Sequence, residues 1–112
     1  MTQPEQAVLI WPVLALAARE QKILSYSDLA GFTGIAEYGL GEALGLIHAH
    51  CERKKWPLLN SIVVLRETGV PGGGFPAKNM TPMEVSVMQS RVFLFDWSGH
   101  DKPRVHDFSA TA

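Results

Sequence analysis

The chain has 112 residues, 46% of them apolar and 19% charged, which leaves room for one hydrophobic core but not two and excludes a disordered chain. A formal net charge of -1 excludes a strongly basic, sequence-blind polyanion binder, because affinity for a phosphate backbone is built from many lysines and arginines; a local basic face stays open. The single cysteine, Cys51, makes an internal disulfide impossible and asks for no oxidising compartment, so the cytoplasm is the default location.

The apolar run from Ala7 to Ala18 contains the small-x-small stretch Ala15-Leu16-Ala17, as a signal peptide would. Glu5 rather than a basic residue precedes it, Pro12 interrupts it, and it is too short to span a bilayer. It reads as a buried helix from Pro4 to about Gln21, with Pro12 kinking it or marking its true start. No membrane partner is expected. Ser25-Tyr26-Ser27-Asp28 has the form of a capping box and opens a short helix that stops near Gly34.

A longer helix is predicted from about Ala36 to Lys55. Leu40, Leu44, Ile47 and Cys51 fall on one face of it, and Gly39, Gly41 and Gly45 weaken it. Trp56-Pro57 ends it. Leu59 to Arg66 is β-branched and apolar in its middle and predicts a strand. Thr68 to Gly74 predicts a turn, and Phe75 a return strand. Thr81-Pro82-Met83-Glu84 is a second capping box, opening a helix to about Phe95. From Ser98 the chain is polar and is expected to be loose.

The predicted class is α+β: a small winged helix-turn-helix-like domain over residues 1–97, with three helices, a β-hairpin wing and a C-terminal helix, followed by a polar tail over 98–112. Taken together, the segments resemble the C-terminal, DNA-binding domain of the O6-alkylguanine-DNA alkyltransferases and the alkyltransferase-like proteins. Ile10-Trp11-Pro12-Val13-Leu14 stands where the family has V-W-x-A-L, and Ser25-Tyr26-Ser27-Asp28-Leu29-Ala30 where it has S-Y-G-E-L-A. Tyr38-Gly39-Leu40-Gly41-Glu42-Ala43 occupies the place of the recognition helix R-A-V-G-x-A. Pro57-Leu58-Leu59-Asn60-Ser61-Ile62-Val63-Val64, followed by Gly73-Gly74-Phe75, takes the place of P-C-H-R-V-V and its G-G-F. The resemblance covers roughly residues 5 to 95.

What the resemblance implies is a DNA-binding face carrying Tyr26 and Ser27, Tyr38 and Gly39, and the cluster Arg53, Lys54 and Lys55. Tyr38 replaces the family arginine that fills the gap left by a flipped base, where an aromatic ring could stack, but it reads first as a plain surface tyrosine. Tyr26 matches the tyrosine that helps rotate the nucleotide, or packs on the first helix. Arg53 to Lys55 contacts phosphates, or only complements the helix C-terminus. Glu42 counts against tight DNA binding.

The departures fall on the chemistry. Leu58, Leu59 and Asn60 stand in place of the reactive cysteine, its histidine base and the following arginine. Without the thiol there is no alkyl acceptor, and no enzyme is expected. The same leucines predict an apolar strand with at least one side chain buried near Leu44 or Ile47. His48 and Cys51 share a helix face as two metal ligands would, but a closed zinc site needs four, and His100 and His106 would have to come from the tail. Cys51 therefore reads as core and the histidines as surface, with no metal or cofactor expected. Gly69 to Gly74 lacks the G-K-[ST] ending of a phosphate-binding loop and suits a wing tip better.

A second function class fits the near-neutral charge, Glu42, and the aromatic end Phe93, Phe95, Trp97 and Phe108: a protein-interaction module, such as an accessory or inhibitory protein of mobile-element origin. An enzyme built on the Gly-rich loop has the least support, since no nucleophile-base pair stands beside it.

Overall fold

Three capping boxes set the helical frame. In each, a Ser or Thr hydroxyl accepts from the backbone N–H three residues on, while the acid there accepts from the cap's own N–H. Thr2 and Glu5 open α1 (Gln3–Arg19), Ser25 and Asp28 open α2 (Tyr26–Thr33), and Thr81 and Glu84 open α4 (Pro82–Leu94). Pro12 neither ends α1 nor starts it. Its ring is exposed, and the burial of Ile10, Trp11 and Leu14 on the opposite side carries the helix through it. α3 (Glu37–Lys54) has no side-chain cap and ends on Lys55, which takes the left-handed conformation at φ 59°.

The computed structural model describes residues 1–66, 69, 71, 80–100 and 102–109. Its described sheet is not the expected antiparallel hairpin. β1 (Leu24–Ser25) and β2 (Val63–Val64) pair in parallel, Leu24 with Val63 and Ser25 with Val64. An isolated antiparallel bridge joins Val64 to Pro71; the expected return strand at Phe75 and most of the Gly-rich turn lie outside the described residues. The expected strand over Leu59 to Arg66 is shorter than predicted. Leu59–Ile62 forms a 3-10 turn, so Leu58 to Asn60 does not enter a strand. β-Branching in Ile62, Val63 and Val64 marks burial there as much as strand geometry.

α1, α3 and the 3-10 turn enclose one core, with Leu14, Leu40, Leu44, Ile47, Cys51, Leu59 and Ile62 fully or almost fully buried. The described residues of the segment from Ser98, as far as residue 109, are not a loose tail. They return to the core as α5 (Val105–Ser109), packed on α1 and α3, with Phe108 fully buried. The reason is one aromatic side chain large enough to anchor a polar stretch. Trp97 is buried too and donates through Nε1 to the Val92 carbonyl at 2.8 Å, while Phe93 and Phe95 are half-buried. The aromatic end therefore fits the core instead of forming a bare patch. The result is a mostly helical α+β domain with a radius of gyration of 12.7 Å. Among the described residues, no helix is long and apolar enough to cross a membrane.

Candidate functional site

Where the resemblance puts reactive chemistry, the chain has buried a polar knot. Leu59 is fully buried, and Asn60 and Ser61 beside it are almost fully buried. Asn60 Nδ2 lies 3.3 Å from His48 Nδ1; with Asn60 donating, the imidazole hydrogen sits on Nε2, which lies 3.4 Å from Glu52 Oε1. Gln89 Nε2 donates to the Ser61 carbonyl at 2.9 Å and ties α4 to the turn. The Cys51 thiol faces the same turn. Burial pushes its pKa up to about 12, against a smaller opposing effect from a backbone hydrogen bond at Leu59. A thiol so held is not a nucleophile at neutral pH.

The histidines are not at the surface, as the sequence suggested: both His48 and His50 are buried. Partners brought in from elsewhere in the chain make this possible, Asn60 for His48 and an aromatic cage for His50. His50 sits with its ring centroid 5.7 Å from Trp11, 5.7 Å from Trp56 and 5.4 Å from Phe108. Burial lowers its pKa, and the nearby Arg53 guanidinium lowers it further. No group of three or more His, Cys, Asp or Glu side chains among the described residues is placed to hold a metal ion.

The expected DNA-facing residues divide between the two ends of α3. Tyr26 is half-buried against the core, at the point where the parallel pair hands the chain into α2, and Ser27 is exposed beside it. Tyr38 is 96% exposed in the first turn of α3. Gly39 is half-buried, and a Cβ there would meet only Ile35 Cγ2 at 3.8 Å, an ordinary contact. This end is acidic. Between Lys22 and Arg53 there is no lysine or arginine, while Asp28, Glu37 and Glu42 are all exposed.

Lys54 lies sixteen residues beyond Tyr38, roughly 24 Å along the helix axis. Of the basic cluster, Arg53 is already occupied: its Nη2 donates to the Asp107 carbonyl at 2.7 Å and lies 3.1 Å from His50 Nδ1. Lys54 and Lys55 are exposed. The fold adds residues that the sequence left in the tail, because α5 brings Lys102, Arg104, His100 and His106, all exposed, to the same end. A cleft of about 1080 Å³ opens between them and Lys54, with Trp56 on its wall. The apolar Pro103 and Phe108 flanking these cations were the only signal in the sequence that the segment is anchored.

Against known proteins the chain has no match: no family model, no curated protein and no solved structure is similar to it.

Proposed function

We propose that the chain is a non-enzymatic DNA-binding domain of alkyltransferase-like, winged-helix design, which meets phosphates through the C-terminal end of α3 and the segment before α5. The observation that carries this reading is the gathering of Lys54 with Lys102 and Arg104 around one cleft, with the exposed Lys55 next in the chain, in a molecule whose net charge is -1. Such a local concentration of cations is what phosphate binding requires. The alkyltransferase-like part is supported by the parallel pair, which sets Ser25 and Tyr26 beside the segment that leads from Leu58 to Val64, so that two separately matched motifs meet. The absence of catalysis is supported by the buried Cys51 thiol and by Leu58 and Leu59 at the positions of the reactive cysteine and its histidine base.

The test is an equilibrium titration with duplex DNA, plain and O6-alkylated, at low and at moderate salt. Binding at low salt that weakens steeply with salt, without labelling of the protein by the alkyl group, is expected. No binding at low salt removes the reading.

One observation favours a second reading, a protein-interaction module. Phe32 is 66% exposed on an apolar groove that it lines with Val13, Leu16 and Leu24, and Tyr38 is 96% exposed at the end of α3 away from the cations. A Phe32→Ser variant that leaves DNA binding intact but abolishes association with a protein partner would establish that groove as a separate surface.

A further inference from the structure

The cleft at the basic end has a built wall. Lys54 and Trp56 flank it on the α3 side and Lys102 and Arg104 on the α5 side. Trp56 is half-buried, and its ring centroid lies 4.7 Å from that of His100 at an interplanar angle of 45°. His100 is in turn stacked flat on Phe95, at 5.1 Å and 8°. Arg53 stands behind the cleft and fixes α5 to α3 through the Asp107 carbonyl. Among the described lining residues the fixed charges are Lys54, Lys102 and Arg104 against Asp107 alone. Asp107 is itself engaged: its Oδ2 accepts from the Arg104 backbone N–H at 2.7 Å, and its Oδ1 lies 3.4 Å from His106 Nε2.

A tryptophan and an imidazole set among cations is the composition that single-stranded nucleic acid uses. Bases stack on the rings and the flanking phosphates meet the charges. A duplex keeps its base faces stacked on one another and has none to offer. The volume of the cleft is that of a ligand-sized site and not of a whole helix. We infer that this cleft binds an unpaired stretch of nucleic acid, with one base against Trp56 and His100 and adjoining phosphates on Lys54, Lys102 and Arg104. The inference rests on the reading of the chain as a nucleic-acid binder and assigns that binding a preference and a place.

The experiment uses the full chain and two probes, a short single-stranded oligothymidylate and a duplex of the same length, with inorganic phosphate as competitor. Binding is followed by anisotropy of the labelled nucleic acid and by tryptophan fluorescence. Single strand is expected to bind more tightly than duplex and to quench the fluorescence. Trp56→Phe is expected to remove most of the quench while Trp11 and Trp97 remain, and Lys102→Glu with Arg104→Glu, both exposed, to weaken single-strand binding by about tenfold or more. Circular dichroism checks that both variants are folded. Binding of both probes that is unchanged by the double charge reversal overturns the cleft and leaves the nucleic-acid reading standing. Binding of neither probe at low salt overturns both. Displacement of the oligonucleotide by inorganic phosphate at equal concentration reduces the site to a simple anion site and overturns the role given to the base.

Discussion

Arg53 donates a 2.7 Å hydrogen bond to the backbone carbonyl of Asp107 and so joins the last turn of α3 to α5. Arg53 also contacts His50 Nδ1 at 3.1 Å, and His50 in turn packs against Phe108. One guanidinium thus links a buried imidazole, a helix end and the C-terminal segment. The link adds to the burial of Phe108, which anchors the segment that sets Lys102 and Arg104 opposite Lys54.

If α5 belongs to the core, Phe108→Ala must cost what a buried aromatic costs. We expect a loss of about 3–5 kcal/mol in urea unfolding, because the Phe108 side chain is fully buried. A loss below about 1 kcal/mol is what a loose tail would give.

Leu59 and Leu58 are adjacent and chemically identical but differ in burial, the first complete and the second partial. Leu59→Ala should therefore cost about 2–5 kcal/mol through transfer and cavity terms, and Leu58→Ala only about 1 kcal/mol. Equal costs, measured under the same denaturant conditions, would contradict the 3-10 turn that separates them.

The Cys51 thiol, fully buried and raised to about 12 by desolvation, should resist alkylation. Iodoacetamide at mildly alkaline pH is expected to label the native protein about 100-fold more slowly than the urea-unfolded chain. Mass spectrometry of the time course reads this directly, and fast labelling of the native state would show the thiol to be accessible.

His50 predicts a pH effect with a defined sign. Its pKa is lowered in the folded state, first by burial and then by Arg53, so the unfolded chain takes up a proton that the folded chain refuses. Stability is then lost as pH falls below the ordinary histidine value of about 6.5 towards the depressed folded value. The carboxylates lowered by hydrogen bonds from Thr2, Thr81, Ser98 and the Arg104 backbone, namely Glu5, Glu84, Asp96 and Asp107, weaken the fold only at lower pH, below their ordinary range near 4. His50→Gln should flatten the stability-pH curve between about pH 5 and 7 and leave the acid limb in place. An unchanged slope in that window would show that His50 titrates normally.

The sequence disclosed what is decided within three or four residues. The boxes at Ser25 and Asp28 and at Thr81 and Glu84 are local hydrogen bonds, and the helices they open start where expected. The face of α3 carrying Leu40, Leu44, Ile47 and Cys51 follows from helical spacing and is buried as a unit. What was not legible depends on distant partners. The pairing of Leu24 with Val63 joins residues 39 apart in the chain, and no local pattern encodes it. His48 and His50 look like surface residues until Asn60 and the Trp11, Trp56 and Phe108 rings close around them. The basic end was half visible, because Lys54 and Lys55 form a run while Lys102 and Arg104 join it only once Phe108 is buried.

The central claim, that phosphates are met at the C-terminal end of α3 and not at the acidic end around Tyr38, is tested most directly by the salt dependence of duplex binding. With Lys54, Lys55, Lys102 and Arg104 as contacts, log Kobs should fall against log[salt] with a slope of about -3 to -4, near -0.9 per phosphate neutralised. Lys54→Ala with Lys55→Ala should reduce the slope by about 2, and Tyr38→Ala should leave it unchanged. A wild-type slope near zero, or a slope untouched by the lysine variants while Tyr38→Ala abolishes binding, would contradict the account.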